Sequence, residues 1–211
     1  MKTDDFIDLL AKDALVKLHL DRALAIALAI GAPLSAVVLV TTIGIRPDLG
    51  DALHTPRFIF KIAVTLLLAV TTSSLVFNAG KPGVPLLPYL IALLIPLGLL
   101  TLGIVTELFV LPSSSWRESM AGRYGYHCLF FIPFFSLAPL VALFWALKGG
   151  APEKPGLSGA AAGLAAGGVG AAIYALHCPD DSPLFVALWY VTAITFVTLC
   201  GYFAGKRWLT W

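Results

Sequence analysis

Residues 126–147 read YHCLFFIPFFSLAPLVALFWAL, and this run decides the fold. It contains no Asp, Glu, Lys or Arg. A helix rises about 1.5 Å per residue, so such a run crosses the roughly 30 Å hydrocarbon core of a bilayer. Inside lipid there is no water for backbone amides to bond, and a helix satisfies them within one segment.

Outward from this run the pattern recurs. Apolar stretches of spanning length cover Ala23–Ile43, Phe58–Phe77 and Leu86–Phe109 before it, with Tyr126–Leu147 as the fourth, and Leu157–Leu176 and Leu184–Ala204 after it. Charged or turn-forming residues separate them at Gly44–Arg57, Asn78–Pro85, Val110–Gly125, Lys148–Gly156 and His177–Pro183. The 211-residue chain is 59% hydrophobic and 12% charged, whereas a soluble domain is about half apolar and about a quarter charged. Lipid must solvate the excess. The expected fold is all-α: a polytopic membrane protein whose residues 23–211 form a bundle of six transmembrane helices, preceded by an amphipathic tail over residues 1–22. The fifth span is mostly Ala and Gly and is the least hydrophobic of the six. The first apolar run is too long for a signal-peptide core, so no cleaved leader is expected. A net charge of +2 offers no electrostatic footprint for direct nucleic-acid binding.

Lys and Arg set the orientation. Lys2, Lys12, Lys17, Arg22, Lys81, Lys148, Lys154, Lys206 and Arg207 fall on one side. Arg46, Arg57, Lys61, Arg117 and Arg123 fall on the other. The excess places both termini in the cytoplasm, with the lipid bilayer of a bacterial inner membrane as solvent. Trp145, Trp208 and Trp211 sit near expected inner faces and Trp116 and Trp189 near outer ones, as interfacial aromatics do. Pro33, Pro96, Pro133 and Pro139 lie within spans and should bend them. Gly159, Gly163 and Gly167 recur every fourth residue of the fifth span. Such a stripe lets two helices approach closely in lipid; packing within the chain is the ordinary reading, and a homodimer contact the sharper one.

Transport needs ionisable groups at mid-membrane. Only Lys61 and Glu107 lie within spans, both near an end from which a side chain can reach the interface. No catalytic signature is present, so the chain is not expected to be an enzyme.

One constellation stands out. His127-Cys128 opens the fourth span and His177-Cys178 follows the fifth, so both pairs fall at the same, periplasmic face. Two thiols and two imidazoles suit a soft metal ion, and the thiols alone could form a disulfide in an oxidising compartment. Asp180 and Asp181 could add oxygen ligands or cap the sixth span. A lone buried cysteine is more often a small apolar residue, and Cys200 in the sixth span is read that way. No cofactor is required.

The tail places Phe6, Ile7, Leu10, Ala14 and Leu18 on one helical face, with Asp8, Lys12, Asp13 and Lys17 at polar positions. Its acidic content is high for a helix lying on an anionic membrane, which favours docking in a groove on a soluble protein.

The chain resembles the NrsF-type membrane-integral negative regulators of extracytoplasmic-function sigma factors. The matching stretches are MKTDDFIDLLAKD (Met1–Asp13), IRPDL (Ile45–Leu49), the His127-Cys128 pair, YALHCPDDSPLFVALWY (Tyr174–Tyr190) and GKRWLTW (Gly205–Trp211). The resemblance implies six inner-membrane spans and a sigma factor held inside. It also implies that Cys128 and Cys178 govern derepression under heavy-metal or oxidative stress. The resulting expectation is a membrane-bound anti-sigma factor. Cys128 and Cys178 would be its sensors, with His127, His177, Asp180 and Asp181 as auxiliary or metal-binding groups. The tail residues Phe6, Ile7, Leu10, Ala14 and Leu18 would be the partner-binding face. The alternatives are a small metal or solute transporter admitting its cargo through the His-Cys pairs, and a thiol-based redox enzyme.

Overall fold

A computed structural model describes residues 19–150 and 152–210. Phe6, Ile7, Leu10, Ala14 and Leu18 lie outside the described residues. Six helices are long and apolar enough to cross a membrane: α1 (Leu20–Thr42), α3 (Pro56–Ala79), α4 (Leu87–Val110), α6 (Gly125–Leu147), α7 (Pro155–Ala175) and α8 (Pro183–Trp208). Each expected span is there, with ends displaced by a few residues. Two shorter helices, α2 (Leu49–Ala52) and α5 (Ser113–Ala121), occupy stretches read from the sequence as plain breaks. No strand occurs among the described residues.

The least hydrophobic span is the centre of the bundle. In α7, 72% of the most apolar stretch is buried by protein, against 11% in α4. Its small residues explain why. A methyl group on Gly159 would lie 2.3 Å from the Gly201 carbonyl oxygen, and one on Gly163 2.6 Å from that of Val197, so the stripe lets the backbones of α7 and α8 touch. A methyl on Gly170 would meet Ser136 Oγ of α6 at 2.3 Å, and one on Gly168 the Ala69 nitrogen of α3 at 3.0 Å. Helix α7 is thus enclosed on three sides. Without a hydrophobic drive between helices in lipid, such backbone approach is what holds them together. The Gly159, Gly163 and Gly167 stripe is covered by α8 of the same chain.

Prolines act where their missing amide matters. Pro139 cannot donate to the carbonyl of Phe135, and Ser35 Oγ of α1 does so instead at 2.7 Å. The same crossing brings Gly31 against Pro139, where an added methyl would lie 2.7 Å from its Cα. Pro96 likewise leaves Ala92 without its helical donor, and α4 breaks at Leu93 between the segments Leu87–Ala92 and Leu94–Val110. Helix α8 begins Pro183–Phe185 and widens to a π turn over Val186–Tyr190 before continuing as α-helix. Such turns mark functional sites more often than chance.

Two buried clusters divide the interior. One joins Leu24, Ala27, Val76, Leu143, Leu147, Ala162 and Leu209 at the end where the described chain starts and stops. The other, at the opposite end, contains both Cys128 and Cys178 with Phe135, Tyr174, Phe185 and Tyr190.

Candidate functional site

Helix α6 starts and α7 stops at the same end of the bundle, which brings the two cysteines together. Cys128 lies one turn into α6 and Cys178 just past the C-terminus of α7; both are wholly buried and both are free thiols. Their side chains meet in one buried cluster, and the Cys178 thiol turns toward the Asp180 carbonyl oxygen at 4.0 Å. Tyr174 lies against Cys128 and Tyr190 against Cys178. The Tyr190 hydroxyl is buried with no hydrogen-bond partner among the described residues. The π turn that ends at Tyr190 belongs to this wall of the site.

A buried ion network surrounds the Cys178 loop. Lys61 of α3 is fully buried. Its ammonium donates to the Cys178 carbonyl at 2.7 Å and to the Asp180 carbonyl at 3.3 Å, and it pairs with the Asp181 carboxylate. Arg46 reaches the other Asp181 oxygen at 2.8 Å, donates to the Cys178 carbonyl at 3.4 Å, and grips both oxygens of Asp48 at 2.8 and 2.7 Å. Phe58 places its ring beneath both cations. Arg46 can reach inward because Gly44, at φ 75°, turns the chain sharply at the end of α1. The Asp48 bond, aided by Asp181 and opposed by burial, raises the Arg46 pKa. Bonding to Arg46 holds Asp48 down at about 2, against slight desolvation. The neighbouring Cys128 thiol, with the Lys61 charge, outweighs burial and lowers the Cys178 pKa.

The loop reaches every neighbouring span. Asp180 Oδ2 accepts the backbone N–H groups of Arg123 and Tyr124, at 3.0 and 2.9 Å, where α6 begins. Ser182 Oγ donates to Glu107 of α4 at 3.0 Å, and Glu107 pairs with Arg57 of α3 at 2.9 Å. The imidazole Nδ1 of His177 lies 2.9 Å from the Gly44 carbonyl oxygen, beyond α1.

Several sequence expectations change here. Lys61 and Glu107 do not reach out to the interface; both are buried and tied to the Cys178 loop or its neighbour, because their partners come to them. Asp180 and Asp181 do not cap α8, whose N-cap residue is Ser182. Their carboxylates bind the start of α6 and the two cations. His127 is exposed and sits beside Tyr124 and Phe131, away from the buried sulfurs. Among the described residues, no three His, Cys, Asp or Glu side chains converge as a metal-holding group. The two thiols therefore form a pair, and the two histidines do not join it. Arg46, Tyr174 and Tyr190 were not singled out in the sequence. The detectable signal was Arg46 within IRPDL and both tyrosines bounding YALHCPDDSPLFVALWY.

No solved structure matches the chain. The family model described as "Negative regulator of sigma F" matches residues 10–211. The anti-sigma-F factor NrsF of Caulobacter vibrioides is 33% identical over 214 aligned residues, covering 100% of both chains. The probable anti-sigma-F factor NrsF of Azospira oryzae is 31% identical with the same coverage. The chain belongs to the NrsF family of negative regulators of sigma F.

Proposed function

We propose that this chain is a membrane-bound anti-sigma factor that holds an extracytoplasmic-function sigma factor at the inner membrane and releases it when its buried thiol pair is modified. Family membership supports the anti-sigma role. The observation that carries the switch is the burial of two free thiols side by side at one end of a bundle whose spans meet in the Cys178 loop. Both termini are cytoplasmic in this reading, following the excess of Lys and Arg on that side, and the thiol end faces the periplasm. Stress then acts at one face while the partner is held at the other. The stimulus is an oxidant or soft metal ion that attacks the sulfurs; no cofactor is required and nucleic acid is not contacted directly.

The energetics suit a two-state device. Moving an equilibrium from 1:99 to 99:1 needs about 5.5 kcal/mol. Depriving a buried ion of its partner costs roughly 3–5 kcal/mol. Displacing the Cys178 loop from Lys61 and Arg46 is therefore of the right size. Transport is disfavoured because both buried spanning charges, Lys61 and Glu107, are paired close to one end instead of lining a path.

Affinity capture of the full-length protein from solubilised membranes tests the anti-sigma role. A sigma factor should co-purify, and deletion of residues 2–18 should abolish its capture. A purified preparation that retains no sigma factor when one is co-expressed would overturn the reading. Capture that survives the deletion would move the contact from the Phe6, Ile7, Leu10, Ala14 and Leu18 face to the inner loops.

A further inference from the structure

The two thiols are held differently: the field of the Lys61 ammonium reaches both, but the ammonium is bonded to the loop of Cys178 alone. The thiols share a pocket, yet they are supported differently. Cys128 is embedded in α6, where its backbone groups belong to the helix. Cys178 lies in a loop whose carbonyl is gripped by Lys61 at 2.7 Å and approached by Arg46 at 3.4 Å. The Lys61 ammonium is wholly buried beside this loop, with Asp181 as its counterion and Arg46 sharing that carboxylate. The groups facing Cys178 from the other elements are uncharged: the Cys128 thiol and the hydroxyls of Tyr174 and Tyr190. Asp180 turns its carboxylate onto the amides of Arg123 and Tyr124, and its charge opposes ionisation of Cys178. A thiolate is the reactive form of cysteine, and a fixed cation nearby favours it.

We propose that Lys61 is the positioning residue that makes Cys178 the attacking thiol of the pair, with Cys128 as the thiol that resolves the product. This rests on the reading of the pair as the switch, but the chemistry can be measured without a sigma factor. With a peroxide as the oxidant, the Cys178 sulfur attacks one peroxide oxygen and the O–O bond breaks. Water leaves, and Cys178 becomes a sulfenic acid. The Cys128 sulfur then attacks the Cys178 sulfur, its proton joins the departing hydroxyl as a second water, and the disulfide forms. The peroxide is reduced by two electrons, which the two thiols supply. A polar recess of about 320 Å³, lined by Thr55, Arg57, Glu118, Asp180, Asp181 and Ser182, lies over the loop and admits a molecule as small as hydrogen peroxide. Its walls include Asp180 and Asp181, whose carboxylates tie the loop to the start of α6 and to the two cations; neither cysteine lines it.

The test uses full-length protein in isolated membranes treated with hydrogen peroxide and dimedone, with adducts assigned by peptide mass spectrometry. Cys128→Ser should accumulate the sulfenic acid adduct at Cys178, whereas Cys178→Ser should give severalfold less at Cys128. Adding Lys61→Met to Cys128→Ser should lower the Cys178 adduct severalfold, and Lys61→Arg should restore most of it. Asp181→Asn, which keeps the cation and neutralises its counterion, should leave the adduct at or above the Cys128→Ser level. A purely structural lysine would behave oppositely: its loss would loosen the loop and raise labelling at both cysteines. That result, or equal trapping at Cys128 and Cys178, would overturn the proposal. Failure to bind a sigma factor would leave these yields unchanged and would count only against the anti-sigma reading.

Discussion

A lysine ammonium removed from water is costly unless oxygen atoms replace its hydration shell. Lys61 has such a shell: the carbonyls of Cys178 and Asp180 and the carboxylate of Asp181. The arrangement explains how an apolar span tolerates a buried charge, and why the Cys178 loop adopts one position. Asp181→Ala should leave Lys61 with no anionic partner and Arg46 with Asp48 alone. The expected loss is roughly 3–5 kcal/mol, read as a lowered unfolding midpoint in detergent, with Asp181→Asn much milder because its amide oxygen still accepts hydrogen bonds. An unchanged midpoint in Asp181→Ala would show that the network does not hold the loop. From the sequence, Lys61 was visible as a charge in a span, but its distance from the span end made a solvated head group the simpler reading. Its partners lie far along the chain, and no local spacing joins Lys61 to Asp181. The His-Cys repetition was legible in the same limited way: spacing placed both cysteines at one end, while the direction of each histidine depends on packing.

At the scale of elements, α7 shows how composition misleads when the solvent is mostly protein. Its Ala and Gly content lowers hydropathy and makes it the weakest span by that measure, yet it is the helix most enclosed by others. The same residues that weaken the hydropathy signal permit the contact with α8. Gly163 and Gly98 provide opposite tests. A methyl at Gly163 would lie 2.6 Å from the Val197 carbonyl oxygen, whereas nothing lies within 4 Å of one at Gly98. Gly163→Ala should therefore cost about 1–3 kcal/mol through forced separation of α7 and α8. Gly98→Ala in exposed α4 should be neutral or stabilising by up to about 1 kcal/mol, because alanine favours the helix. Thermal unfolding of the two variants in one detergent would compare them directly; equal shifts would refute the close α7–α8 contact. The six spans were readable because apolar length reports a helix in lipid with little ambiguity. The short helices α2 and α5 and the π turn in α8 were not, since they arise from tertiary contacts, whereas the break in α4 at Leu93 follows the bend expected of Pro96.

Across the whole molecule, an even number of spans brings both ends of the described chain to one face and leaves the thiols at the other. Leu20 packs near Gly80 and Gly150, and Leu209 is buried with Leu24 and Leu147 in the same cluster, so that face is itself knit together. Between the faces runs α7, in contact with α3, α6 and α8, and its C-terminal end leads straight to Cys178. Displacement of that end has rigid paths to the opposite face, through close-packed backbones that leave little room for local accommodation. The central claim is that the thiol pair controls retention of the partner. It is tested most directly by immobilising the protein with its bound sigma factor and adding hydrogen peroxide to the wild type, Cys128→Ser, Cys178→Ser and the double variant. The wild type should release its partner, while all three variants bind it normally and retain it. Release from the double variant equal to that from the wild type would contradict the account.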